Sequence, residues 1–105
     1  MNMNEYQKLA MKTAIFPTDM GVYYATLGLA GEAGEIANKV KKFIRDGHSV
    51  EKEKELISEL GDVLWYVAAV ADVIGVSLEE VAKDNMYKLA ERQRKGTLQG
   101  SGDNR

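Results

Sequence analysis

The sequence predicts an all-α fold, a four- to five-helix bundle with an oligomer-completed core. Two observations carry the helical reading and a third carries the oligomer. No segment of the 105 residues sustains the alternation of a half-buried strand. Between the punctuating residues Pro17, Gly47, Gly75 and Gly96, apolar side chains recur at steps of three and four. The run Val63-Leu-Trp-Tyr-Val-Ala-Ala-Val-Ala71 is apolar all round, which is the pattern of a helix buried all round.

The elements follow from local chemistry. Asn4 with Gln7 resembles a capping box and opens a first helix reaching about Ile15. Phe16 to Gly21 is a connector, because Pro17 ends the helix and Thr18, Asp19 and Gly21 favour turns. A second helix runs from Val22 to Asp46, with one stripe of Leu29, Ala33, Ile36, Val40 and Phe43, and stops at Gly47. Ser49 caps a third helix that reaches Ile74 and stops at Gly75. Ser77-Leu-Glu-Glu80 is a second capping box, opening a fourth helix that fades near Lys95 and Gly96. Residues 1–96 thus read as a single helical domain, and 97–105 as a flexible tail.

Composition narrows the function. Sixteen acidic residues against fourteen basic give a net charge of −2, so no field exists to gather nucleic acid, and no nucleic-acid partner is expected. Cysteine is absent, which excludes disulfides, thiolate metal sites and cysteine nucleophiles. The start lacks the basic and apolar regions of a signal peptide, and the apolar run is far short of the ~20 residues that span a bilayer. A cytoplasmic protein with no membrane partner is the expectation. Small four-helix monomers rarely bury any helix completely, so burial of Val63 to Ala71 by a second copy is preferred. A homodimer or homotetramer is expected.

Gly28, Gly31 and Gly34 lie inside the second helix, where each costs up to ~1 kcal/mol relative to alanine. Their spacing implies that something approaches the backbone closely. A neighbouring helix or a ligand would do equally.

Glu32 and Glu35 sit three apart on the same helix, side by side at the border of its apolar stripe. Glu59 and Asp62 repeat the arrangement on the third helix, beside Leu56, Leu60 and Val63. Such pairs are common on solvated faces, as with Glu51, Glu53 and Glu55 among their lysines. Two pairs at the core's edge on adjacent helices are different: four converging carboxylates repel one another and lose hydration. A divalent cation resolves both costs, and an all-oxygen set selects magnesium, with manganese as a substitute. Di-iron chemistry expects Glu-x-x-His pairs, whereas the sole histidine, His48, falls in a loop.

The fourth helix carries the line Leu78, Val81, Asn85, Lys88 and Arg92, which turns polar and cationic halfway along. Lys88 and Arg92 either snorkel to the surface at the helix C-terminus or clamp phosphate beside the metal. Asn85 can bond a sugar or base edge, and Tyr66, one turn after Asp62, can stack on substrate. Other aromatic candidates are Phe16, Tyr23, Tyr24 and Trp65, which spacing does not rank.

Leu27-Gly-Leu-Ala-Gly-Glu-Ala-Gly-Glu-Ile36 and Glu59-Leu-Gly-Asp-Val-Leu-Trp-Tyr66, with 23 residues between Glu35 and Glu59, resemble the MazG-like nucleotide pyrophosphohydrolases. The similarity extends from about Tyr6 to Lys95. It implies an all-α enzyme that hydrolyses the α–β phosphoanhydride bond of a nucleoside triphosphate with magnesium, giving the monophosphate and pyrophosphate. Carried over, Glu32, Glu35, Glu59 and Asp62 are the metal carboxylates. Tyr66 and Asn85 fall where related enzymes contact nucleotide, and Lys88 and Arg92 match a basic segment of the last helix. Glu35, ahead of Glu59, is the favoured general base. The family's signature opens with two glutamates, but Gly31 stands in the first of those places here. That departure favours the alternative reading, a non-catalytic helical module that binds nucleotide or metal for regulation.

Overall fold

Helix α1, Met3–Met11, begins two residues earlier than the sequence suggests. Asn2 is its cap: Asn2 Oδ1 accepts from the Glu5 amide at 2.9 Å while Asn2 Nδ2 donates to Glu5 Oε1 at 2.8 Å. The computed structural model describes residues 1–105. A single 3-10 turn, Thr18–Met20, leads into α2, Gly21–Asp46. Then follow α3, Val50–Val73, and α4, Leu78–Lys95, with no strand anywhere. The chain is all-α.

Most ends obey the local chemistry. Ser49 and Ser77 accept from the amides of Lys52 and Glu80 at 3.2 and 3.1 Å, each satisfying a donor left open in a first helical turn. Gly75, at φ 84°, lets the Val76 amide turn back to the Ala71 carbonyl at 2.9 Å and closes α3. The end of α1 differs: it stops at Met11 rather than near Ile15.

Asn4 and Gln7, freed from capping their own helix, serve another. Asn4 Oδ1 accepts from the Glu79 amide at 3.1 Å, and its Nδ2 donates to Glu79 Oε2 at 3.2 Å. Gln7 is only 7% exposed; its Oε1 accepts from the Leu78 amide at 3.0 Å. Its Nε2 donates to the carbonyls of Val76 at 3.1 Å and Ala68 at 3.3 Å. These bonds tie α1 to the α3–α4 corner, where α4 departs at 99° from α3. The turn's buried polar atoms are thereby satisfied.

α2 and α3 form an antiparallel hairpin across the three-residue loop at 47–49. Gly21 meets Val73, Gly28 meets Tyr66, and Lys39 meets Glu59. α1 lies along α3, and α4 touches α1 and α3 but not α2. Ala68, Ala71 and Leu78 form the core, with Tyr6, Met11, Val67 and Val76 packed around it.

The core is small. Nine residues are buried, and Leu78 is the one large side chain fully enclosed. The radius of gyration is 16.4 Å, against roughly 13 Å for a closed domain of this length. On α2's expected stripe, Ala33 and Val40 are exposed, while Leu29, Ile36 and Phe43 are half-buried. The apolar run of α3 is covered at Ala68, Ala69 and Ala71 but leaves Leu64 open. Leu27, Ile44, Ile57, Leu60, Met86 and Tyr87 face solvent. No single helix is long and apolar enough to cross a membrane.

Candidate functional site

Of Gly28, Gly31 and Gly34 in α2, only Gly28 is closely approached. A Cβ there would overlap the Tyr66 ring, whereas Gly31 and Gly34 have nothing within 4 Å. The close neighbour is a side chain of the chain itself. That contact sets the register of the hairpin: one turn onward from Gly28 along α2 is Glu32, and one turn back from Tyr66 along α3 is Asp62. Glu59, a further turn back, joins them. Carboxylate oxygens of Glu32, Glu59 and Asp62 all lie within 4.8 Å of one another.

The crowding is felt at Glu32. Burial is the largest influence raising the Glu32 pKa; a side-chain hydrogen bond with Glu59 follows, then the charges of Asp62, Glu59 and Glu35. Glu32 therefore holds its proton to higher pH than an ordinary glutamate. Lys39, one face of α2 further on, supplies partial relief, its Nζ 3.8 Å from Glu59 Oε1 and 3.6 Å from Glu55 Oε2. The donor set is all carboxylate oxygen and short of positive charge, which suits a hard divalent ion.

Beside the acids opens a cleft of about 350 Å³ lined by Thr13, Glu32, Asp62, Trp65 and Tyr66. Its aromatic wall is fixed from behind. Trp65 Nε1 donates to Thr13 Oγ1 at 2.8 Å and to the Ala10 carbonyl at 3.2 Å. Tyr66 meets the Trp65 ring edge-on at 4.9 Å, and Phe16 stacks on Tyr24 at 5.1 Å while contacting Trp65 edge-on. Burial chiefly, then neighbouring Tyr24, Glu32 and Asp62, push the Tyr66 phenol's pKa up, so it remains a proton donor at neutral pH. The structure thus ranks the aromatics. Trp65 and Tyr66 line the cleft, Phe16 and Tyr24 support them, and Tyr23 lies elsewhere beside Val22, Thr26 and Leu27.

The remaining expected residues are not gathered there. Glu35 is exposed and stands outside the three-acid cluster, although its charge is felt at Glu32. Asn85 is exposed on α4, and neither it nor Lys88 nor Arg92 lines the cleft. Lys88 and Arg92 instead meet Asp103 of the tail, at 3.4 and 3.1 Å. Sequence reasoning missed Thr13 and Lys39. Thr13 carries no local signal, since its partner lies 52 residues away, but Lys39 stands one helical turn beyond Glu35 on the acidic face and could have been found.

The chain is 48% identical to "Gene 37 protein" of Mycobacterium phage L5, aligned over the whole of both. It is 36% identical to "Uncharacterized protein YvdC" of Bacillus subtilis (strain 168), over 71% of this chain and 78% of that protein. No solved structure matches it. The model of the MazG nucleotide pyrophosphohydrolase domain matches residues 24–97, a span that holds all three clustered acids and both aromatic walls of the cleft. By that match and by its all-α fold, the chain belongs to the MazG nucleotide pyrophosphohydrolase family.

Proposed function

We propose that this protein is a magnesium-dependent pyrophosphohydrolase that cleaves a ribo- or deoxyribonucleoside triphosphate to the monophosphate and pyrophosphate, in the housekeeping of the cytoplasmic nucleotide pool. One observation supports it above the others: Glu32, Glu59 and Asp62 converge at the mouth of an aromatic cleft sized for a nucleotide moiety. These three carboxylates would hold magnesium, or manganese in its place. The bound ion supplies charge neutralisation for the triphosphate and acidifies a water.

The chain's own groups do the rest. Trp65 and Tyr66 hold the nucleoside against a rigid wall, which stabilises a productive orientation. Glu35, outside the acidic cluster, keeps a free carboxylate and takes the proton of the attacking water, with Glu59 as the second candidate. Lys88 and Arg92 grip phosphate oxygens, and Asn85 bonds the sugar or base edge. Because none of these three lines the cleft within one chain, we assign them to the cleft of a neighbouring copy in a homodimer or homotetramer. The many uncovered apolar side chains support that assembly.

A panel of nucleoside triphosphates incubated with magnesium tests the proposal by release of pyrophosphate. Turnover of at least one member, lost in Glu59→Gln, is expected. Binding without turnover would favour the regulatory module, for which Gly31 in place of a glutamate speaks.

A further inference from the structure

Arg92 is a cation with an unusual setting. Its side chain is 9% exposed, and both hydrogen bonds of its guanidinium run from Nη2 to Asp103: to Oδ1 at 3.1 Å and to the carbonyl at 3.4 Å. The same Oδ1 lies 3.4 Å from Lys88 Nζ. One carboxylate oxygen therefore bridges two cations that stand one turn apart on α4. Arg92 contributes only one edge of its fork, and the planar donor set that suits phosphate is half used.

The occupant is loosely held. Asp103 has an 80% exposed side chain and rides on a tail whose other hydrogen bonds to α4 come only from Thr97, to the Arg92 carbonyl. Arg105 closes that tail onto the carbonyls of Thr97 at 3.0 Å and Gly102 at 2.8 Å, and Gly100 donates to Thr97 at 3.0 Å. Arg92's hydrogen bond, and then Lys88's charge, hold the Asp103 carboxyl below its ordinary range, so it is anionic at neutral pH. A polyphosphate brings more charge and more oxygens to the same two cations than one carboxylate does.

We propose that Lys88 and Arg92 form an anion site for polyphosphate that the chain's own tail keeps filled, with the Asp103 carboxylate standing where a phosphate oxygen binds. The tail is then an autoinhibitory latch: each substrate must displace it, and the working affinity is set by that competition. This rests on the reading of Lys88 and Arg92 as phosphate contacts.

Calorimetric titration of the full chain with sodium tripolyphosphate, at low salt and without divalent ions, tests it. Asp103→Asn is expected to bind about two- to fivefold more tightly than wild type, the scale of the weak ion pairs that a solvent-exposed carboxylate makes. Adding Lys88→Ala should cancel the gain. Amide resonances of Gly102 and Asp103 in the wild type should move on saturation toward their free-tail positions. Unchanged or weaker binding by Asp103→Asn overturns the latch, as does failure of every variant to bind. Tighter binding by Asp103→Asn, with no pyrophosphate released from any triphosphate, keeps the latch and sinks the hydrolase. Turnover with identical KM in both proteins does the reverse.

Discussion

The Tyr66 ring lies against the backbone of Gly28 so closely that not even a methyl group fits between them. This one contact decides where α2 and α3 stop sliding past each other, and hence which carboxylates meet. Gly28→Ala must push the ring, which Trp65 and Tyr24 confine, and strain of that kind costs ~1–3 kcal/mol. Gly31→Ala meets open space, so the helix gains up to ~1 kcal/mol. Thermal melts should therefore move in opposite directions for two apparently similar substitutions. Parallel shifts would remove the register argument.

Magnesium should stabilise the fold by mass action, and the effect should depend on pH. The folded chain keeps the Glu32 proton to higher pH than the unfolded chain, whose carboxyl titrates near 4.5. Metal-free stability accordingly falls as pH rises from that value through the raised folded one. Magnesium competes with the same proton, so its Tm gain is expected to be larger at about pH 7.5 than at about pH 5. The double variant Glu59→Gln, Asp62→Asn should show no gain at either. A pH-independent shift would mean that the ion binds elsewhere.

Gln7→Ala leaves the Leu78 amide and two carbonyls without their partner at a buried corner. The expected loss is about 1–3 kcal/mol, read as a lower urea midpoint. Gln7→Glu should recover only part of it, because a carboxylate can still accept from Leu78 but cannot donate to Val76 or Ala68. Full recovery by Gln7→Glu would show that packing, not hydrogen bonding, is what matters there.

Lys88→Ala should lower triphosphate turnover by about ten- to a hundredfold, the scale of a charge-assisted contact. Lys54→Ala, on an exposed turn of α3, serves as the reference and should be neutral. Thermal stability should change little in either. Equal kinetics for the two variants would make Lys88 a snorkelling surface residue and leave the carboxylate site untouched.

What the sequence disclosed follows the range of the forces involved. Ser49, Ser77, Gly47 and Gly75 act on atoms three to five residues away, so the breaks they make are visible in the chain. Asn4 was misread because Asn2-x-x-Glu5 and Asn4-x-x-Gln7 fit a cap equally well, and the choice depends on α4. Gly28 is indistinguishable from Gly31 and Gly34 until α3 is laid against it. Glu32 and Glu35 likewise differ by about 60° around the helix, enough for one to face Glu59 and the other to face water. Helical periodicity places both acids near a seam. It does not say which crossing brings one of them in.

The bonds from α1 to the far corner also bear on the order in which the chain takes shape. α1 is made before its partners at Ala68, Val76 and Leu78, which follow Gln7 by 61, 69 and 71 residues. The α2–α3 hairpin needs only the short closure around Gly47 and can form beforehand, since near contacts cost less chain entropy than distant ones. α1 must then wait, amphipathic and without a seat, until the turn before α4 has left the ribosome. Its docking thus follows the making of the α3–α4 corner. Chains cut short before that corner would expose α1 beside an unfinished hairpin, an open invitation to quality-control proteases.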